Sequence, residues 1–310
     1  MIGRIVEIAD DNRHLSLQRG FMVVTDTSPP RKEMGQVPID DIYAVIANAH
    51  GMSYTNNLLV ALAERGAPVV LCAANHNPAG MLIPVDGNYN QAKRFDAQIA
   101  ASKPTHKRMW AEIVRSKVQQ QAAVIEAIGG NPIPLNAMLS KIKSGDPANI
   151  EAQAARLYWT QLMGNEFRRD QNSGGLNAML NYGYTILRAC TARSVIAAGL
   201  HPTISLYHSN ANNAMRLVDD LMEPFRPMVD LKVWQLAQQS ETELQPNTKR
   251  ALVHVMYDDM QTDFGATPVM TCIPRVATSL VQVYLGEKNA LDVPLPSLPI
   301  ELASYSLEDY

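Results

Sequence analysis

The hydrophobic positions of this chain change period once. Up to about residue 85 they run in short clusters or alternate with polar residues, the spacing of strands. Residues 3–8 (GRIVEI), 14–18 (HLSLQ) and 21–25 (FMVVT) are such runs, divided by turn residues. A polar loop over 26–35, with Pro29 and Pro30, precedes strand character over 36–48 (QVPIDDIYAVIAN). Residues 53–65 (SYTNNLLVALAER) instead set Leu58, Leu59, Leu62 and Ala63 at helical spacing, with Ser53 as a cap and Gly66 as the stop. A buried strand is expected over 68–73 (PVVLCA) and a last one over 81–85. The turn-rich segment 86–91 (DGNYNQ) is the natural joint.

Beyond it the period is helical almost throughout. Residues 93–128 repeat Ala, Ile, Val and Met at helical spacing. Lys93, Arg94, Lys103, Lys107, Arg108, Arg115 and Lys117 are expected on the polar side, with Pro104 as a kink or a joint. A shorter helix over 135–143 follows the Gly and Pro turn at 129–134. Asp146 and Pro147 then read as the cap and first position of a helix over 148–169, which carries Glu151 near its start. A carboxylate there is also favoured simply by the positive helix end. Residues 176–199 are almost wholly apolar and predict a buried helix whose Ala, Gly and Cys allow close packing. More helices are expected over 231–287, including 248–257, before a loose Pro-rich and acidic tail beyond Leu291. The pattern describes an α+β chain, with a β-rich segment over 1–90 and a helical one over 91–310.

The most chemically loaded stretch is 208–227, HSNANNAMRLVDDLMEPFRP. Its asparagines favour a turn, and from Ala214 the spacing of Met215, Val218 and Met222 is helical. Asp219, Asp220 and Glu223 crowd about one helical turn before Pro224 and Pro227, which are expected to end the element. Acids in such a turn are commonly a solvated face. Here Leu217, Leu221 and Phe225 surround them, and buried carboxylates need a cation, a donor or a proton. A histidine one loop upstream completes a ligand set for a divalent ion acting on phosphate.

Composition narrows the class. Of 310 residues, 46% are hydrophobic and 18% charged, enough apolar side chain for a substantial core. The longest apolar candidate, 58–74, is broken by Glu64 and Arg65, so no membrane span is expected. The N-terminal residues lack the apolar core of a secretory signal. Cys72, Cys190 and Cys272 are far apart and suit ordinary thiols in a reducing cytoplasm. Net charge is −3, but residues 93–169 hold twelve Lys and Arg against six Asp and Glu, so a local balance of +6 stands against −9 elsewhere. A basic middle suits a polyanion, although helix faces that happen to carry lysine would read the same.

The segments GDPANIEAQAARLYW, LNAMLNYGYTILRACTARSVIAAGLHP and YHSNANNAMRLVDDLMEPFRPMVD resemble those of the CRISPR spacer-acquisition integrases, the larger of the two near-universal adaptation nucleases. The DLMEPFRP wording is most similar to the form found with type II systems. The resemblance covers almost the whole chain and implies a small N-terminal β-sandwich-like domain followed by a larger all-helical catalytic domain. It implies a metal site of Glu151, His208 and Glu223, with Asp219 or Asp220 as the alternative third acid or as the group orienting His208 or a metal water. It makes His201 a turn residue, while His14, His50, His76, His106 and His254 have no acid cluster nearby. The implied ion is Mg²⁺ or Mn²⁺. The implied reaction is attack by a DNA 3′-hydroxyl on a phosphodiester of the repeat array, with hydrolysis when water attacks instead. The implied partners are double-stranded DNA (prespacer and repeat array), a second copy forming a homodimer through the N-terminal domain, and a dimer of the small adaptation nuclease completing a heterohexamer. In a type II setting the RNA-guided effector nuclease joins them. Lys107, Arg108 and Arg115 are the candidates for DNA backbone contact. Two rivals remain on the residues alone: a metal-dependent phosphoesterase of small substrates, and a non-catalytic DNA-binding scaffold.

Overall fold

The computed structural model describes residues 3–73 and 78–296. The strands before residue 90 are β1 (Arg4–Ile8), β2 (Arg13–Gln18), β3 (Phe21–Asp26), β4 (Glu33–Pro38), β5 (Ile42–Ala47), β6 (Ser53–Tyr54), β7 (Val69–Cys72) and β8 (Pro78–Leu82). They form two four-stranded sheets, ordered β4-β3-β2-β6 and β1-β5-β7-β8. The first is an antiparallel meander with β6 added in parallel. In the second, β1, β5 and β7 are parallel and β8 is antiparallel. Helix α1 (Asn56–Glu64) lies between, and its Leu58 and Leu62 share one core with Leu15 and Met22 of the first sheet and Ile42 and Val45 of the second.

Strand β5 is buried nearly end to end because both of its faces are covered, which is why it reads as an unbroken apolar run. Its far face carries Ala44 and Ile46, which pack against Ala189 of the helical part. Arg193 reinforces that seam by donating to the Ile42, Tyr43 and Arg65 carbonyls and lying over the Tyr43 ring. Lys249 bridges to Glu7 at 3.0 Å.

The helices that follow are α2 (Gln91–Ala100), α3 (Lys103–Ala127), α4 (Ile133–Leu139), α5 (Ile150–Met163), α6 (Leu176–Ala197), α7 (Arg216–Met222), α8 (Arg226–Gln238), α9 (Pro246–His254) and α10 (Val269–Tyr284). Two long helices organise them. Helix α3 packs against α4, α5 and α8, and α6 against α7, α8, α9 and α10. Where α6 meets α8, Gly183 lets the backbones close up: a Cβ there would stand 2.4 Å from Val229 Cγ1. Among the described residues no helix is long and apolar enough to cross a membrane.

Several local expectations are corrected. Strands are not confined to the first ninety residues, because β9 (Asp259–Thr262) and β10 (Gly265–Pro268) form a hairpin between α9 and α10. Of the two readings of Pro104 the joint holds, since it lies in the first turn of α3 behind the Ser102 cap. Ser53 is not the cap of α1, because it pairs with β2; Thr55 accepts the Leu58 amide instead. Pro147 lies ahead of α5 rather than in its first turn. Pro224 does close α7, but Pro227 opens α8, as a proline can where no amide partner is needed. His76 and the tail from residue 297 lie outside the described residues.

Candidate functional site

Glu151 is set by the way α5 begins. Asn149 takes a left-handed conformation at φ 51°, which turns the chain into the helix. The Asp146 carboxylate then accepts both the Ile150 and the Glu151 amides at 2.9 Å. Asp146 thus caps the helix from outside it, and Glu151 falls in the first turn facing α3. Glu223 is set by Pro224, which breaks the ladder after Met222 and converts 223–225 into a single tight turn. That turn carries Glu223 inward, where it is 6% exposed.

Lys117 of α3 stands between these two glutamates. Its ammonium contacts Glu151 Oε1 and lies 2.5 Å from Glu223 Oε2. Arg226 holds the other oxygen, Oε1, through its Nε at 2.8 Å. Burial works against the Glu223 charge, but Arg226, Lys117 and His208 outweigh it and hold the carboxyl down to about 2. Burial likewise opposes the charge on Lys117, and the two glutamates more than offset it, so the ammonium sits above its usual range. The assignment of Lys117 to a polar helix face is therefore corrected: it is 8% exposed. The signal was present, since Lys117 follows Trp110 by two helical turns and shares its stripe with Ile113, Val114, Gln121 and Val124, all buried.

His208 belongs to a loop that one buried acid organises. Asp220 is fully buried. Its Oδ2 accepts the Leu206 amide at 2.7 Å and the Tyr207 amide at 3.1 Å, and its Oδ1 lies 2.5 Å from His208 Nδ1. With a carboxylate as acceptor, Nδ1 carries the proton, and in the neutral ring Nε2 keeps its lone pair. The bond to Asp220 raises the imidazole pKa, burial opposes the rise, and the charges of Asp220, Glu223 and Asp219 add to it. Tyr207 stacks on buried Trp110 with centroids 4.6 Å apart, and His208 meets the same indole edge-on. Asp219, one residue earlier, turns the other way: Arg188 grips both its oxygens at 2.7 and 3.0 Å and Asn213 adds a third contact.

His208, Asp219 and Arg226 line a cleft of about 570 Å³. Arg169, Arg188, Tyr184 and a set of asparagines also line it, so it is largely polar and cationic. Behind it, Tyr184 donates its hydroxyl to Asp230, whose carboxyl burial pushes up to about 7. Of the three basic residues expected at DNA, Lys107 and Arg108 are exposed, whereas Arg115 is half-buried and donates to the Ile142 carbonyl at 3.3 Å. His201 acts in its turn, with Nδ1 accepting the Thr203 amide at 3.3 Å.

As the side chains lie, no three acidic, histidine or cysteine groups among the described residues are gathered closely enough to hold an ion together. The cation between Glu151 and Glu223 is the Lys117 ammonium. The donor chemistry nonetheless suits a divalent metal. Two carboxylates from separate helices already converge on one positive charge. Glu223 Oε2 is buried and meets that charge without the alignment of a hydrogen bond. His208 Nε2 is the free nitrogen of a ring fixed by a carboxylate, the usual arrangement of a metal-binding imidazole.

The fold is shared with solved structures. The fold matches a casposase bound to integration product over 93% of this chain and 92% of that one, with a TM-score of 0.79 and 19% identity. It also matches a Cas1 protein from Thermotoga maritima over 92% and 98%, with a TM-score of 0.72 and 15% identity. Sequence then gives the family. The model for CRISPR associated protein Cas1 matches residues 6–257. The CRISPR-associated endonuclease Cas1 of Neisseria meningitidis serogroup C (strain 8013) is 34% identical over 95% of this chain and 96% of its own length. A Pyrobaculum aerophilum endonuclease of the same name is 27% identical over 89% and 98%. The chain belongs to the Cas1 family.

Proposed function

We propose that this protein is a divalent-metal-dependent DNA endonuclease and integrase that joins DNA fragments into a CRISPR array. The observation that carries the reading is the meeting of Glu151 and Glu223 at one cation position, with Asp220 fixing His208 close enough for the Glu223 charge to act on it. The names of the relatives, CRISPR-associated endonucleases, and the casposase in complex with an integration product point the same way.

In this reading Glu151, Glu223 and His208 Nε2 hold Mg²⁺ or Mn²⁺. When bound, the ion supplies positive charge to the phosphate in transfer and favours ionisation of the attacking hydroxyl. Asp220 keeps the proton on Nδ1 and so keeps Nε2 a donor of electrons. Arg226, fixed by Glu223, presents positive charge at the cleft wall, where a phosphodiester oxygen gathers charge during in-line displacement. Arg169 and Arg188 extend that charge along the cleft, a surface for backbone rather than for base edges. A DNA 3′-oxygen forms the new phosphorus–oxygen bond as the old one breaks, so one phosphodiester replaces another; water in the same place gives cleavage. Residues 1–90 serve dimerisation and partner contact, with the exposed edge strand β4 as one available surface. The partners are prespacer and repeat DNA, a second copy, and a dimer of the small adaptation nuclease in a heterohexamer; a fold shared with 36% of a chain of a Cas6-RT-Cas1–Cas2 complex (TM-score 0.75, 17% identity) supports this reading. The RNA-guided effector nuclease is the further partner this reading includes.

The test is an integration and cleavage assay on branched and linear DNA, with Mn²⁺ and with chelator. Glu151→Gln, Glu223→Gln and His208→Ala are expected to lose at least about a hundredfold in rate. DNA affinity should hold within about threefold, because phosphate contacts supply most of it. Full activity in chelator would overturn the proposal.

A further inference from the structure

Lysine is rarely buried unless it is paired, yet Lys117 is buried and shares both its partners with the proposed ion. The charges joined through it balance, Lys117 and Arg226 against Glu151 and Glu223, and the Asp220 carboxylate behind His208 adds one negative charge more. A divalent ion added to this group would leave an excess of one positive charge, with ammonium and metal facing the same oxygens. The two cannot occupy the position together. The contact to Glu223 is also badly aligned for an ammonium hydrogen bond, whereas an ion needs no such alignment.

We propose that Lys117 is an internal counter-ion that competes with the divalent metal for Glu151 and Glu223, and that it sets the resting metal affinity of the protein low. The inference rests on the metal site proposed above. Without Lys117 or a metal, the buried Glu223 carboxylate and the partly exposed Glu151 carboxylate would face each other uncompensated by anything but Arg226. With Lys117 in place the two glutamates are compensated without metal, and metal enters only by moving the ammonium aside on its flexible four-carbon stem. A nuclease arranged this way stays poor in metal until the ion is concentrated or the ammonium finds another anion.

The test is calorimetric titration of Mn²⁺ into the full-length wild type and Lys117→Met, a neutral side chain of similar length. Lys117→Met is expected to bind Mn²⁺ about tenfold tighter or more, within the range of ordinary coupling between two ligands at one site. The gain should vanish in the Lys117→Met, Glu151→Gln double variant, which places it at this site. Equal or weaker Mn²⁺ binding by Lys117→Met overturns the inference while leaving the metal site standing. Absence of Mn²⁺ binding in both proteins overturns the metal site itself. Should Lys117→Met fail to fold without metal, its refolding in Mn²⁺ becomes the readout. Recovery of a cooperative melt supports the inference, since a true cation then replaces the ammonium, and failure to fold in saturating Mn²⁺ overturns it.

Discussion

Asp219 and Asp220 are neighbours of the same type, and their surroundings predict opposite consequences for their removal. Asp220 is fully buried and its carboxylate takes the Leu206 and Tyr207 amides and the His208 ring. Asp220→Ala would take the acceptor from all three donors and strand the Leu206 amide in a buried place. A hydrogen bond to a charged acceptor contributes about 1.5–3 kcal/mol net, and stranding a buried donor costs about 1–3 kcal/mol, so a total of about 3–5 kcal/mol is expected. Asp219 is different: its partner Arg188 is 31% exposed, and water screens the pair, so Asp219→Ala should cost about 1 kcal/mol or less.

Asp220→Asn separates folding from chemistry. The amide oxygen can still accept the two loop amides on the Oδ2 side, so the stability cost should fall to about 1–3 kcal/mol. The amide nitrogen would then face His208 Nδ1, two donors in opposition. The ring relieves this by moving its proton to Nε2, and Nε2 then has no lone pair for a metal. Integration should drop about 10- to 100-fold or more while the protein remains folded. Urea unfolding gives the stability terms, the integration assay gives the rate, and the nitrogen chemical shifts of a labelled histidine report the tautomer. The reasoning is refuted if Asp220→Asn integrates within twofold of wild type, or if Asp219→Ala is the more damaging of the pair.

The remaining expectations concern pH, charge and packing. Asp230 ionises near 7 in the folded protein because of burial, against 3.8 in its ordinary state. The folded state therefore holds this proton better, so stability is highest below pH 4 for this group, declines as pH rises to 7, and is flat beyond. At about 1.4 kcal/mol per unit the decline is at most about 4 kcal/mol, and Asp230→Asn should remove it; denaturation curves for the two proteins that stay parallel from pH 4 to 8 would contradict this. Reversing the charge of exposed Lys107 and Arg108 to Glu should weaken binding to unrelated DNA sequences alike and lower the salt slope by about two, read by titration at several salt concentrations. Gly183→Ala should destabilise by about 1–3 kcal/mol despite its better helix propensity, because the new Cβ would press on Val229 Cγ1, and a rise in melting temperature would refute the close packing of α6 on α8.

What could be read from the sequence, and what could not, divides by the range of the interaction. The change from strands to helices is written locally, in the period of apolar positions, and the chain follows it: β8 ends at Leu82 and α2 begins at Gln91. The hairpin of β9 and β10 escaped because its buried positions include two threonines, Thr262 and Thr267, that satisfy one another and the Gly265 carbonyl, so no apolar alternation marks it. Pro227 is ambiguous for a similar reason, since a proline alone does not say whether it closes one helix or opens the next. In the site, the local signals around Glu151 and Glu223 were legible as acids at a helix start and at a proline-broken turn. The pairing of those acids was not. Lys117 meets one partner 34 residues away along the chain, Asp220 meets His208 twelve residues back, and Arg188 claims Asp219 across thirty-one. Adjacent acids on one helix point about 100° apart, so a shift of a single position exchanges the residue that orients a histidine for one that holds an arginine. Only the packing of α3, α6 and α7 chooses between them, which is why residue type could nominate Asp219, Asp220 and Glu223 together but could not assign their work.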